Sequence, residues 1–149
     1  MLVFRVTRAK HTSLDGEAAK LYGGRWNHPG SALVYTAGSR ALALLETRVH
    51  LTRPPRDYVC MVIEIPFEPV DRSDEIRATR NWRTRARYTK DFGSLWCRTA
   101  KECVLKVPSV VVPDESNYLI NPAHSQMAQI RVLGIQAIKF DPRLWTVIR

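Results

Sequence analysis

The 149-residue chain lacks several features, and each absence removes a class of function. No apolar run approaches the roughly 20 residues that a membrane crossing needs. The opening MLVFRVTRAK has no secretion-signal core, so the expectation is a cytoplasmic protein with no membrane partner. Cysteine is sparse and odd in number (Cys60, Cys97, Cys103), with no CxxC pair. That count argues against a disulfide framework and for reduced thiols. His11, His28, His50 and His124 are scattered without ligand spacing, so they read as structural or solvated and no metal is expected. Glycine falls in neither a G-x-G-x-x-G fingerprint nor a P-loop, and no serine sits in a G-x-S-x-G elbow. Acidic residues are the minority, 14 against 23 Lys and Arg, leaving a formal charge of +9. A basic surface attracts polyanions such as nucleic acid, a phosphorylated small molecule or an acidic protein. Composition does not choose among them.

What is present describes a folded domain. The 45% hydrophobic and 25% charged fractions are those of a globular protein, and the length suits one domain spanning 1–149. No repeat or Gly/Ser linker interrupts it. Leu2–Val6 reads as a strand, followed by a polar, loop-like stretch to Gly24. Ser31–Ala37 reads as a second strand, and Ser39 as the N-cap of a helix reaching about His50. Tyr58–Ile65, rich in β-branched residues, is expected to be a central strand. The basic segment Asp71–Lys90 is partly helical in pattern, and a short helix is expected around Phe92–Lys101. Two apolar runs flank Pro108, DESNYLINP reads as a turn-rich loop, and a last strand is expected near Ile135–Phe140. Strands and helices mix without βαβ alternation, which predicts a compact α+β fold.

Four segments carry candidate chemistry. In GGRWNHPG (Gly23–Gly30), Arg25 offers a planar fork for phosphate or carboxylate and Trp26 a stacking surface, although a tight turn with a solvated arginine explains the same residues. Glu46 lies at the margin of an apolar stripe of Leu42, Leu45 and Val49; a carboxylate half-turned toward a core needs a partner, a proton or a substrate. Its plain alternative is a side chain reaching solvent or a nearby arginine. In VPSVVVPDESNYLINP (Val107–Pro122), Ser109 follows a proline at the edge of an apolar run, while Asn117 and Asn121 fit turn chemistry. Finally, Arg77, Arg80, Arg83 and Arg87 would line one helical face with Trp82 and Tyr88 close by. That pattern suits a nucleic-acid patch, a solvated face or a docking surface equally well.

Taken in order, FRV (Phe4–Val6), GGRWNHPGSALVYTA (Gly23–Ala37), the ALALLE helix ending at Glu46, VPSVVVP (Val107–Pro113), NYLINP (Asn117–Pro122) and FDPRLW (Phe140–Trp145) resemble the RES domain. This is the toxin half of Xre–RES toxin–antitoxin systems. The ordered set spans nearly the whole chain. The arginine, glutamate and serine that name the family fall at Arg25, Glu46 and Ser109, with Ser116 and Ser125 nearby but outside the VPS context. The resemblance implies a mixed central sheet similar to the ADP-ribosyltransferase fold. It also implies NAD⁺ as a substrate, with no separate cofactor, and water or inorganic phosphate as acceptor. The implied partner is a cognate helix-turn-helix antitoxin in a hetero-oligomeric complex, with DNA reached only through that antitoxin.

The residue types suit that reaction. Nicotinamide leaves as a neutral ring, so the costly species is the oxocarbenium-like ribose, which a carboxylate stabilises. Glu46 would hold the ribose, Arg25 with Arg5 the diphosphate, and Tyr35 would pack on the nicotinamide or ribose. Ser109 and Asn121 would be hydrogen-bond partners for Glu46 or substrate. Two alternatives differ in kind: a mono-ADP-ribosyltransferase modifying a host protein, and a nucleic-acid-binding module or ribonuclease.

Overall fold

The strand expected at Tyr58 is paired along its whole length. The first strand, β1 (Leu2–Arg8), lies antiparallel to β3 (Tyr58–Glu64) in unbroken register from Leu2 opposite Glu64 to Arg8 opposite Tyr58. The computed structural model describes residues 1–99 and 101–146. On the far side of β1, β2 (Val34–Ala37) joins through the single pair Phe4–Ala37 and continues antiparallel onto β6 (Ser116–Ile120). Beyond β6 lie β5 (Val104–Pro108), antiparallel, and β4 (Val70–Asp71), parallel to β5. The strand β7 (Arg131–Ile138) closes the other edge against β3. The order β4-β5-β6-β2-β1-β3-β7 is a mixed seven-stranded sheet, as the α+β expectation requires.

Side-chain alternation divides the apolar residues between two sheet faces. One face gathers Val3, Val34, Met61, Ile63, Val104 and Ile120, covered by Ile130 and the half-buried Leu14, Phe67 and Met127. The other carries Leu105, Val107 and Leu119 beneath Trp26, Ile76, Trp82 and Trp96. Beside them Phe4, Val6 and Ala37 meet the helix α2 (Arg40–Arg48) through Leu42 and Ala43. Burying a side chain of leucine or isoleucine size stabilises by about 1.5–3 kcal/mol, so this second face firmly anchors whatever rests on it.

Several elements differ from the expectation. The polar stretch before Gly24 contains a helix, α1 (Glu17–Tyr22), which ends at Gly23 in the left-handed region. The second strand starts at Val34, three residues late. NYLI is not loop: β6 is buried between β2 and β5, its ladder bonds outweighing the local turn preference of the flanking Asp, Ser and Asn. The basic segment holds α3 (Ser73–Ala78), a 3-10 turn (Trp82–Thr84) and α4 (Ala86–Thr99), which absorbs the short helix expected near Phe92. Asn81, at φ 57°, breaks the chain direction between them, so Arg77, Arg80, Arg83 and Arg87 share no helical face. The last strand begins earlier, at Arg131, and residues 142–145 form a 3-10 turn capped by Asp141.

Candidate active site

Ser39 starts the site by starting α2: its hydroxyl accepts the Leu42 N–H at 3.0 Å, the N-cap read from sequence. The helix then buries Leu42 and Ala43 while Leu45 and Val49 point outward. The inward face is therefore Leu42, Ala43 and Glu46, not the Leu42–Leu45–Val49 stripe expected. The packing of Phe4, Val6 and Ala37 decides the rotation of the helix.

Glu46 Oε1 accepts two hydrogen bonds, from Ser109 Oγ at 2.7 Å and from Asn117 Nδ2 at 2.5 Å. Ser109 follows β5 directly and is fully buried. Its Oγ accepts the N–H groups of Val111 (3.1 Å) and Val112 (2.9 Å), which bends residues 110–112 out of strand geometry. Asn117 stands on β6 opposite both Ala37 and Val107. The Oδ1 of Asn117 is buried with no hydrogen-bond partner. Ser116 and Ser125 do not meet Glu46 in any hydrogen bond among the described residues; Ser109 occupies that place.

Arg25 reaches the same region from the glycine loop. Its Nη2 donates to the backbone carbonyls of Arg83 and, at 3.4 Å, Trp82. Burial pushes the Arg25 guanidinium down from its ordinary value, the negative field of Glu46 pushes back upward, and the neighbouring Arg83 pushes down again. The two expected principal residues, Arg25 and Glu46, thus act on each other across one sheet face. Arg83 in turn donates from Nε and Nη2 to the Val110 carbonyl at 3.1 and 2.8 Å, and Arg77 donates to the Pro113 carbonyl at 2.9 Å. These arginines of the basic segment stitch the Ser109 loop in place. A groove of about 490 Å³, lined by Asn81, Trp82, Arg83, Thr84 and Val110, opens beside them.

Other expected residues are placed differently. Trp26 is buried, packed on Trp82 (6.3 Å between ring centres) and Phe92 (6.5 Å), so it is core and not an open stacking surface. The Tyr35 hydroxyl accepts the Trp26 N–H at 2.9 Å and donates to Asn27 Oδ1 at 2.6 Å. Burial raises its pKa. Tyr35 therefore props the arginine loop from below. Gly24 is needed above it, because a Cβ there would overlap the phenol. Asn27 completes the brace: fully buried, its amide reaches the carbonyls of Ala19, His28 and Ser31.

Arg5 faces away. It stands opposite Met61 in the β1–β3 ladder, on the sheet face that also buries Val3, whereas Phe4 and Val6 face α2. Burial lowers its pKa and Asp15 opposes that shift. Asn121 is also separate: it lies past the end of β6, about 13 Å along the chain direction from Asn117 at strand rise. Its Nδ2 donates to the Cys97 carbonyl and its Oδ1 accepts the Ala123 N–H. The donor to Glu46 is Asn117, four positions earlier, which sequence reasoning assigned to turn chemistry. Its strand position beside an apolar Tyr-Leu-Ile run was the available signal. Among the described residues no group of three His, Cys, Asp or Glu side chains is placed to hold a metal ion.

The fold and this geometry define a class: an α+β domain organised around one carboxylate, steadied by a serine and an asparagine, with an arginine in its field. The chain belongs to the RES domain family, whose model matches residues 2–143. It is 42% identical over 139 residues to the Prs ADP-ribosylating toxin of Sphingobium sp. strain YBL2, covering 88% of this chain and 86% of that one. It is 34% identical over 152 residues to Toxin Res of Yersinia enterocolitica, covering 97% of this chain and 99% of the relative. The fold matches a chain in the crystal structure of the Mycobacterium tuberculosis MbcT–MbcA toxin–antitoxin complex, with a TM-score of 0.67 at 18% identity, over 97% of this chain and 86% of that one. The RES domain is thus common to this chain and to relatives that carry toxin names. No helix among the described residues is long and apolar enough to cross a membrane.

Proposed function

We propose that this toxin consumes NAD⁺ by cleaving the bond between nicotinamide and ribose, and that a cognate Xre-type antitoxin silences it. The observation that carries the reading is the Glu46 carboxylate. Both of its hydrogen bonds fall on Oε1, which leaves Oε2 without a recorded hydrogen bond among the described residues, on the side of the sheet where Arg25 exerts its field.

Cleavage breaks the bond from the ribose anomeric carbon to the nicotinamide nitrogen, and the electron pair leaves with the ring. The positive charge of the ring cancels, so no acid is required. The deficit appears on the ribose, where a fixed carboxylate lowers the barrier. Glu46 supplies that charge and a hydrogen-bond acceptor for a ribose hydroxyl. Arg25, already surrendering two carbonyl contacts' worth of donors to the 82–84 turn, keeps further N–H groups for a phosphate oxygen. The groove lined by Trp82 and Val110 offers apolar surface to the remainder of the dinucleotide. Water or inorganic phosphate then bonds to the anomeric carbon, and the acceptor's proton passes to solvent or to Glu46.

A second reading is transfer of ADP-ribose to a protein side chain, favoured by the name of the 42%-identical Sphingobium relative. The bond broken is the same and only the acceptor differs. A nucleic-acid module loses the helical stripe that suggested it, because those arginines fall on separate elements and not along one helix. Incubating the purified protein with NAD⁺, with and without phosphate, separates these readings. Free nicotinamide with ADP-ribose marks hydrolysis, and ADP-ribose 1″-phosphate marks phosphorolysis. Nicotinamide release only in the presence of a labelled protein marks the transferase. Intact NAD⁺ with phosphate, without phosphate and with added acceptor protein contradicts the proposal. Expression without the antitoxin is expected to stop growth as NAD⁺ falls.

A further inference from the structure

Resting on that reading, we infer that Asn117 is a positioning residue: as an obligatory hydrogen-bond donor it fixes which oxygen of Glu46 faces the substrate.

The donors on Glu46 are not equivalent in freedom. Ser109 Oγ already accepts two backbone N–H groups, so its single proton has the carboxylate as its one recorded acceptor. Asn117 Nδ2 donates to the same oxygen from a second direction. Two donors converging on Oε1 set the rotation of the carboxylate about its last bond, which one donor alone leaves free to turn. The amide sits on the interior strand β6, paired on both sides, so its own position is set by the sheet. Its Oδ1 is left buried and unpaired, a destabilising arrangement. A residue selected only for packing avoids that penalty; a residue held for its N–H tolerates it. Sequence spacing alone does not distinguish this asparagine from Asn121, whose two polar atoms are both satisfied by nearby backbone.

Shape and donation separate in two variants. Asn117→Asp keeps the shape but replaces the donor with an acceptor that repels Glu46, whereas Asn117→Ala removes both. If Asn117 acts through its N–H, N117D loses at least as much kcat as N117A. The expected loss is roughly 10–100-fold, the range typical of groups that orient a working side chain. KM for NAD⁺ stays within about twofold of wild type, because the diphosphate contacts are untouched. The N117D deficit narrows toward acid pH, where the introduced carboxyl regains a proton to donate. Near-wild-type kcat for N117D beside an impaired N117A overturns the inference, since packing then suffices. Should the wild-type protein leave NAD⁺ intact, the functional reading fails while a crystal structure of N117D still decides this one. Rotation of Glu46 away from Ser109 supports it, and an unmoved Glu46 overturns it.

Discussion

The Ser109 hydroxyl and the Glu46 carboxylate meet at 2.7 Å although they lie 63 positions apart in the chain. Three local facts bring them together. Ser39 caps α2, Leu42 and Ala43 press that helix onto β1 and β2, and Ser109, just past the end of β5, stays tied across the hairpin by its N–H on the Glu115 carbonyl at 2.9 Å. The serine then serves two masters, ordering the backbone of the following valines and donating its proton to Glu46.

Ser109→Ala removes both services. Two backbone N–H groups lose their acceptor and Glu46 keeps only Asn117. The expected cost is about 1–3 kcal/mol of stability, the usual penalty for stranding buried polar groups. Urea unfolding checks it through a lower midpoint at unchanged slope.

Gly93 sits inside α4, where a glycine normally weakens a helix. The reason lies across the interface: a Cβ at this position would overlap the Trp26 carbonyl, and Ser94 Oγ accepts the His28 N–H at 2.9 Å next to it. Gly93→Ala should therefore push the loop carrying Arg25 off the helix. The expected result is a raised KM for NAD⁺ together with a lower melting temperature, despite the better helix propensity of alanine. A more stable variant with unchanged KM would show that the loop has room to move.

Much of this was legible in the chain and some was not. The helix cap at Ser39 and the strand at Tyr58 are written in short-range chemistry. Arg25 and Glu46 stood out because a charge beside glycines and a charge beside an apolar stripe both need explaining. Asn117 was hidden because aspartate, serine and asparagine around it signal turns, and only pairing with β2 and β5 makes the segment a strand. The outward rotation of Leu45 and Val49 was equally hidden, being decided by which residues of β1 and β2 the helix meets. Arg5 was misplaced for a similar reason. Its neighbours Phe4 and Val6 face α2, and alternation sends it to the other face.

Asp71 contributes to acid stability. Burial favours the neutral Asp71 carboxyl, but the Lys106 ammonium at 2.8 Å and the Ser73 N–H outweigh it and hold its pKa at about 2. A carboxyl lowered in the folded state stabilises above its unfolded pKa, near 4, and loses that contribution as pH falls toward 2. The pair ties β4 to β5 at a half-exposed edge, so the contribution is below about 1 kcal/mol. Asp71→Asn should lower stability slightly at neutral pH and flatten the loss between pH 4 and 2. Equal slopes for both proteins over that window would contradict the assignment.

The three cysteines are free, and burial raises the thiol pKa of each, that of Cys103 to about 11. Thiolate is the reactive form, so native protein should resist alkylation at pH 7.5. The expected mass spectrum shows little adduct before denaturation and three adducts after it. Rapid native labelling at Cys60 or Cys103 would contradict their placement.

The central claim is that the carboxylate of Glu46 carries the chemistry while the fold stands without it. Nicotinamide release from NAD⁺ by wild type and by Glu46→Gln, with melting curves recorded on both, tests it most directly. The account predicts a loss of roughly 100–1,000-fold or more in kcat with the variant still cooperatively folded. A folded variant that releases nicotinamide at the wild-type rate would contradict it.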